Sequence, residues 1–323
     1  MTLYFWIGFL LLVFILLALD LGVFHKKDKA LGTKEALLWT AFWIALSLIF
    51  NVFIYFSYEH HWLGIGLHPG AENIGGHAAA IKYITGYIIE KSLSLDNIFV
   101  IAMIFSYFKV PDIYQHRVLF WGILGALILR GAMIAAGAAL IQQFDWMIYV
   151  FGGFLIFTAL RMLIQKDEEV HPDQNPLVKF ARKVYPVTGN YEGHKFFTVA
   201  NGKRAITPLF LVLLVIESTD VIFAVDSIPA IFAVTTDPYI VFTSNVFAIL
   251  GLRSLYFALA AMMNQFRYLK VSIVIVLIYV GIKMLLSHTY PIPTLISLLV
   301  IILILAGGIG LSVLKSKKEK AEV

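Results

Sequence analysis

The sequence contains no cysteine among its 323 residues. This absence excludes disulfides, thiolate metal sites, iron–sulfur clusters and cysteine nucleophiles. Charged residues are also scarce, because Asp, Glu, Lys and Arg make up 14% of the chain while 60% of the residues are hydrophobic. A soluble domain is usually about 45–50% apolar. The composition is therefore typical of a membrane protein.

The apolar residues fall in long blocks. A block of about 18 or more apolar residues can cross a hydrocarbon core about 30 Å thick as an α-helix, whereas a membrane barrel shows alternating segments of about ten residues. The sequence predicts an all-α polytopic membrane protein with about nine spans. These spans cover residues 3–24, 36–57, 80–106, 116–139, 145–164, 206–234, 240–262, 269–287 and 291–314.

Lys and Arg gather in every second loop between the predicted spans. The loops after the first, third, fifth and seventh spans and the C-terminal tail hold most of the 25 basic residues. Because cytoplasmic loops are enriched in Lys and Arg, we expect a periplasmic N-terminus and a cytoplasmic C-terminus. The same loops account for the formal net charge of +5, so membrane lipid is an expected partner and nucleic acid is not. The sequence does not predict an oligomeric state.

Two parts of the chain resemble each other. At an offset of 124 residues, SLDNIF aligns with STDVIF, which matches Asp96 to Asp220. At an offset of 123 residues, Arg130 aligns with Arg253. The predicted spans 3–5 (helices 3–5) therefore repeat as the predicted spans 6–8 (helices 6–8). Because three is an odd number of spans, the second copy enters the membrane from the opposite side. The sequence therefore predicts two inverted three-helix repeats, an arrangement common in secondary transporters.

The predicted organisation has five parts. Two N-terminal spans occupy residues 1–60, and the two repeats occupy 80–165 and 206–287. A cytoplasmic loop at 166–205 separates the repeats; it contains HKFFTVANGK, in which Asn-Gly between short apolar runs predicts a β-hairpin. The last span and a basic cytoplasmic tail make up residues 288–323.

Five carboxylates lie inside the third and sixth predicted spans, where an ionised side chain costs at least about 2.5–3.5 kcal/mol on insertion scales. Four basic residues also lie within spans, and we expect two of them, Arg130 and Arg253, to be mainly structural. Four bases do not neutralise five carboxylates, which favours a cation site over a purely structural network. The predicted site residues are Glu90, Asp96, Asn97, Glu217, Asp220, Asp226 and Ser227.

The spacing of the acids in the sixth span sets a geometric requirement. On a straight helix Glu217 and Asp220 are adjacent, whereas Asp226 is nearly opposite Glu217. Pro229 predicts a bend that frees the carbonyl of Val225 and brings these acids towards one ion. An all-oxygen ligand set suits Mg²⁺, Ca²⁺ or Mn²⁺. Protons are an alternative, because buried carboxylates titrate readily.

The segments EKSLSLDNIFV at 90–100 and ESTDVIFAVDSIPAIFAVTTDP at 217–238 resemble the TerC family of integral membrane proteins. The segments SNVFAILGLRSLYF at 244–257 and ALDLGVF at 18–24 fit the same family, so the resemblance covers nearly all of the chain. The sequence is most similar to the Alx branch of that family.

The resemblance implies a secondary transporter that exports Mn²⁺ from the bacterial cytoplasm across the inner (plasma) membrane by alternating access. It places the acidic motif positions of the family on the seven predicted site residues. Mn²⁺ is then the transported substrate, and no organic cofactor is expected. The alternative is a non-transporting membrane scaffold or a metal or pH sensor. An enzyme is not expected, because the chain has no HExxH motif and no phosphate-binding loop.

We expect Asp96→Asn and Asp220→Asn to abolish Mn²⁺ tolerance in a strain that lacks its own exporters, because each amide removes a charge that would bind the ion. The amount of protein in the membrane should stay normal for both, whereas Arg253→Ala should lower the amount of folded protein. Growth on Mn²⁺ and immunoblots of membranes measure the two effects. Loss of the aspartate variants from the membrane would make their carboxylates structural.

Overall fold

The computed structural model describes residues 3–24, 32–67, 72–164, 172–200, 202–259 and 268–321. Its longer elements are eleven α-helices within these residues and one two-stranded sheet. The elements are α1 (Leu3–Phe24), α2 (Thr33–Glu59), α3 (Gly76–Phe108), α4 (Asp112–Gln143), α5 (Met147–Ile164), α6 (Pro176–Val184), β1 (Phe197–Ala200), β2 (Lys203–Ile206), α7 (Pro208–Phe232), α8 (Pro238–Leu250), α9 (Leu252–Leu259), α10 (Leu269–Leu285) and α11 (Thr294–Ala321).

Helices occur at every stretch that the sequence predicts to span the membrane, although residues 260–262 of the seventh stretch lie outside the described residues. By length and composition, six of the described helices can cross a membrane: α1, α2, α4, α5, α7 and α11. The pair α8 and α9 makes a seventh candidate, bent by 41°. The chain is thus a nearly all-helical, polytopic membrane protein with six or seven candidate spans.

Two of the predicted spans do not meet the same requirements of length and composition. The helix α10 has only 17 residues, and α3 carries the charged residues Lys82, Glu90, Lys91 and Asp96. Polar residues of this kind lower the mean hydropathy of a span. The helix that carries Glu90, Asp96 and Asn97 of the predicted site is therefore not typical of a membrane helix in its composition.

The connection between α6 and α7 contains a β-hairpin, as the Asn-Gly pair predicts. The strands β1 and β2 are antiparallel, with Phe197 opposite Ile206 and Ala200 opposite Lys203. Gly202 has a φ of +72°, in the left-handed region that favours glycine; its neighbour Asn201 lies outside the described residues. With this predicted hairpin, the fold of the described residues is nearly all-helical.

Prolines and capping side chains determine where three helices begin. The helices α6, α7 and α8 each start with a proline, whose missing N–H needs no partner in the first turn. The Asn175 Oδ1 atom accepts a hydrogen bond of 2.9 Å from the first turn of α6. The Asp237 Oδ1 atom accepts one of the same length from the first turn of α8. Local sequence thus fixes the start of the acidic helix α7 and of its neighbours.

Polar contacts join the segment before α3 to the connection between α7 and α8. Glu72 forms an ion pair with Lys82 and accepts a hydrogen bond of 2.7 Å from the backbone N–H of Thr236. The Tyr58 hydroxyl donates a hydrogen bond of 2.9 Å to Asp237. Two connections that are far apart in sequence are therefore held together at one end of the helix bundle.

The two acidic helices are neighbours within the bundle. The helix α3 packs against α7 and α8, and α4 packs against the same two helices. The helix α5 packs mainly against α10, while α2 covers α3 and α9. Glu90 of α3 and Asp220 of α7 therefore face an interior that is formed by these four helices.

The helices α5 and α10 approach closely at two glycines. A Cβ atom at Gly152 would lie 2.9 Å from the Met284 Cβ atom and 3.0 Å from the Gly281 carbonyl oxygen. A Cβ atom at Gly281 would lie 2.7 Å from the Ile156 Cγ1 atom. Small residues allow membrane helices to pack backbone against backbone in this way.

We expect Gly152→Leu to destabilise the protein by about 1–3 kcal/mol, because the added side chain forces α5 away from α10. Gly153→Leu is the matched control, since a Cβ atom at Gly153 meets nothing within 4 Å. The fraction of protein that stays monodisperse after heating in detergent measures the effect. Equal losses in both variants would contradict the close packing at Gly152.

Candidate functional site

Arg130 of α4 is the centre of the polar contacts between α3, α4 and α7, and it is 2% exposed. Its Nε atom donates to Asp220 Oδ2 at 3.0 Å and its Nη2 atom donates to Asp220 Oδ1 at 2.8 Å. Its Nη1 atom forms an ion pair with Glu90 and lies 3.4 Å from Ser227 Oγ, to which it donates. One guanidinium thus connects carboxylates from both acidic helices, with a bidentate contact to one of them.

Asn245 of α8 binds the other oxygen of Glu90. Its Nδ2 atom donates to Glu90 Oε2 at 3.0 Å, and both side chains are fully buried. We call Arg130, Glu90, Asp220, Ser227 and Asn245 the Arg130 hub. Sequence analysis missed Asn245; the available signal was the polar triplet TSN at 243–245 within an apolar run.

A cavity of about 30 Å³ adjoins the hub between α3, α4, α7 and α9, enough for one or two water-sized species. Its polar lining comes from Asn97, Thr219, Asp220 and Arg253, and the remaining lining is apolar. Arg253 is held by Asp20 of α1, with 2.6 Å between Nη2 and Oδ1, and it donates to the Asp20 carbonyl at 2.9 Å. This contact supports a structural role for Arg253.

Several buried oxygen atoms on α3, α7 and α8 have no hydrogen-bond partner among the described residues. A buried polar atom without a partner costs about 1–3 kcal/mol in mutational data. A bound cation would satisfy such an oxygen and remove this cost. These oxygen atoms are Tyr87 Oη, Ser94 Oγ and Asn97 Oδ1 on α3, Glu217 Oε2 on α7 and Asn245 Oδ1 on α8.

The other two acids of α7 face different neighbouring helices. The carboxylate of Glu217 covers Gly125 of α4, where an added Cβ atom would overlap it. Asp226 faces α5 and contacts Thr158. The helix α7 continues through Pro229 as a single helix. The carboxylate of Glu217 is therefore directed towards α4 and that of Asp226 towards α5. Residues nine apart on a straight helix point to nearly opposite sides in this way.

The seven predicted site residues are thus only partly brought together. Three meet at Arg130, and Asn97 lines the adjoining cavity. Asp96 is half-buried on α3, and Glu217 and Asp226 face α4 and α5. Within the part of the chain that the structure describes, no group of three or more Asp, Glu, His or Cys side chains is placed to hold a metal ion. Coordination of a cation by these residues remains a prediction.

The membrane segment formed by α8 and α9 is broken at Gly251. Lys91 Nζ donates to the carbonyl of Ala248 at 3.1 Å, one turn before the break. A Cβ atom at Gly251 would lie 3.0 Å from both Lys91 Nζ and Trp43 Cβ. Interrupted helices are typical of ion sites in transporters, because a break leaves backbone groups available. Neighbouring positions on a helix point about 100° apart, so Lys91 points away from Glu90, and no sequence pattern indicates its partner.

The chain is similar to known membrane proteins over most of its length. Residues 75–320 match the Integral membrane protein TerC family. The uncharacterized membrane protein STKORF319 of Myxococcus xanthus is 50% identical over 312 residues, which cover 97% of this chain and 92% of that protein. Alx of Escherichia coli (strain K12), named as a candidate membrane-bound redox modulator, is 45% identical over 294 residues, or 91% and 89% of the two chains. No solved structure matches.

We expect Arg130→Met to lower the free energy of unfolding by about 3–5 kcal/mol, because it leaves two buried carboxylates without a counter-charge. Adding Glu90→Gln and Asp220→Asn should recover most of that loss, since no buried charge then remains. Thermal unfolding in detergent measures both, with Lys203→Met on the exposed hairpin as the control. A triple variant as unstable as the single one would show that the hub is not held by charge pairing.

Proposed function

Because the chain belongs to the TerC family of integral membrane proteins, we propose that it is a secondary transporter that exports Mn²⁺ from the bacterial cytoplasm. One observation carries this proposal. Five buried oxygen atoms on α3, α7 and α8 have no hydrogen-bond partner among the described residues. Lipid offers such atoms no donor, whereas a hard divalent cation such as Mn²⁺ prefers oxygen ligands.

The Arg130 hub suggests how a cation would be bound and released. Glu90 and Asp220 carry two formal negative charges, and the guanidinium neutralises one of them. A divalent cation would neutralise both, so Mn²⁺ suits the pair of carboxylates better than a single guanidinium does. In the proposed mechanism, Mn²⁺ displaces Arg130 from at least one carboxylate, and the return of Arg130 helps to expel the ion.

The nine spans and the two inverted repeats belong to the same proposal. In these repeats α3, α4 and α5 correspond to α7, the pair α8–α9, and α10. The contacts support the correspondence, because α3 packs on α8 as α4 packs on α7, and α10 packs on α3 as α5 packs on α7. The helices α5 and α10 also pack on each other. Rocking of one repeat against the other would then give alternating access to the hub.

The loops support an orientation in the bacterial inner membrane with the N-terminus in the periplasm and the C-terminus in the cytoplasm. The connection between α5 and α7 carries basic side chains that are exposed to solvent or headgroups, and cytoplasmic loops are enriched in such residues. They include Lys179, Arg182, Lys183, Lys195 and Lys203.

A second candidate function is a non-transporting scaffold or a metal or pH sensor. It is favoured by the ion pairs of Glu90 and Asp220 with Arg130, which occupy two of the predicted ligands. The name of the Alx relative refers to redox modulation, but this chain has no cysteine thiol for such chemistry.

Flux into liposomes that contain a Mn²⁺-quenched dye tests the proposal. We expect the wild-type protein to quench the dye, and Glu217→Gln and Asp220→Asn to slow quenching at least about tenfold, which corresponds to about 1.4 kcal/mol. Asp145→Asn, at an exposed position between α4 and α5, is the matched control and should be as fast as the wild type.

Binding of Mn²⁺ to the same samples, measured from the electron paramagnetic resonance signal of free Mn²⁺, separates the two candidate functions. Tight binding without any flux by the wild-type protein would favour the scaffold or sensor and reject the transporter. Flux that is unchanged in both acidic variants would reject the predicted ligands.

A further inference from the structure

The described part of the connection between α5 and α7 is folded and attached to the membrane helices. The hydroxyl of Tyr191 donates to the carbonyl of Phe108, at the end of α3, at 2.8 Å. The Asn175 Nδ2 atom donates to Ser218 Oγ of α7 at 2.5 Å. We call residues 172–206 the connector; it consists of α6, the hairpin β1–β2 and the segments between them, with residue 201 outside the described residues.

The surface of α6 has three distinct parts. Val178 and Ala181 are buried in the same hydrophobic cluster as the first turns of α7. Beside them, Leu177, Phe180 and Val184 are 45%, 66% and 51% exposed. At 3.6 residues per turn, these three share one face of the helix. Exposed basic residues occupy the other side: Lys179, Arg182 and Lys183.

The depth of α6 along α7 indicates what covers its exposed apolar face. Ser218 lies ten residues into the 25-residue helix α7, about 15 Å along an axis that is about 37 Å long. A hydrocarbon core is about 30 Å thick and therefore takes up most of the length of α7. When α7 crosses such a core, the level of Ser218 lies inside it at every position that the core can take along the helix. The start of α6 therefore reaches the bilayer instead of lying in the water beyond it.

We propose that the connector is anchored in the lipid leaflet beside it, with Leu177, Phe180 and Val184 inserted among acyl chains and the basic side of α6 bound to anionic phospholipid headgroups. A helix with an apolar face and a basic face lies in the plane of such an interface. Its positive charges complement anionic lipids. This inference does not depend on Mn²⁺ transport. It places a lipid contact on a helix whose N-cap touches Ser218, the residue after Glu217.

The absence of cysteine makes the test direct, because a single introduced thiol labels one position only. Full-length Phe180→Cys, carrying a nitroxide, is placed in nanodiscs with anionic lipid. We expect the label to be accessible to oxygen and shielded from a water-soluble nickel chelate. Lys179→Cys, on the basic side of the same helix, is the matched control and should show a several-fold lower ratio of oxygen to nickel accessibility.

Equal access of nickel to both labels would overturn the proposal. Spin–spin broadening of the Phe180 label in nanodiscs that hold two copies would also overturn it, because the face would then bind a second copy of the chain.

The headgroup contact is tested by charge reversal. In zwitterionic nanodiscs, or when Lys179, Arg182 and Lys183 are all changed to Glu, the oxygen-to-nickel ratio at Phe180→Cys should fall several-fold. Reversal of Lys203 and Arg204, exposed on β2, is the control that should leave the ratio unchanged. A ratio that does not respond to lipid charge, or that falls equally in the control, would reject anionic lipid as the partner of α6.

Discussion

A single guanidinium between two carboxylates holds the centre of this membrane protein together. Arg130 comes from α4, Glu90 from α3 and Asp220 from α7, and Asn245 adds α8 to the same point. In surroundings of low dielectric such contacts are strong, and each partner is costly to bury without the others. The packing of these four helices therefore depends on charges that lipid alone would not tolerate.

The same hub explains only part of the polar chemistry inside the bundle. Ion pairing with Arg130 satisfies Glu90 and Asp220, which is what a purely structural network requires. It does not satisfy Glu217 Oε2 or Asn97 Oδ1, which are buried and have no partner among the described residues. The transport proposal depends on this surplus of acceptor oxygens, and not on the mere presence of acids in the spans.

Much of the architecture could be predicted from the sequence because it depends on local composition. Long apolar blocks gave helices at the expected stretches, and Asn-Gly gave the hairpin. Helix periodicity also separated Glu217 from Asp226 correctly, but the expected convergence at Pro229 depended on tertiary structure, and in the structure Asp226 faces α5. Periodicity defines the faces of one helix and does not reveal which helix covers each face.

The partners of Arg130 show the same limit. They lie 40 and 90 residues away in the chain, and no local pattern connects them. The acceptor of Lys91 was equally hidden, because it is a backbone carbonyl whose availability follows from a break in another helix.

The break at Gly251 separates two attachments that a continuous helix would couple rigidly. On one side Asn245 contacts the carboxylate of Glu90, and on the other Arg253 is fixed to Asp20 of α1. Hinges are formed by a few residues at the ends of elements that absorb changes in backbone angles. A rotation at Gly251 would therefore move α8 and change the surroundings of Glu90, while α9 and α1 stay in place.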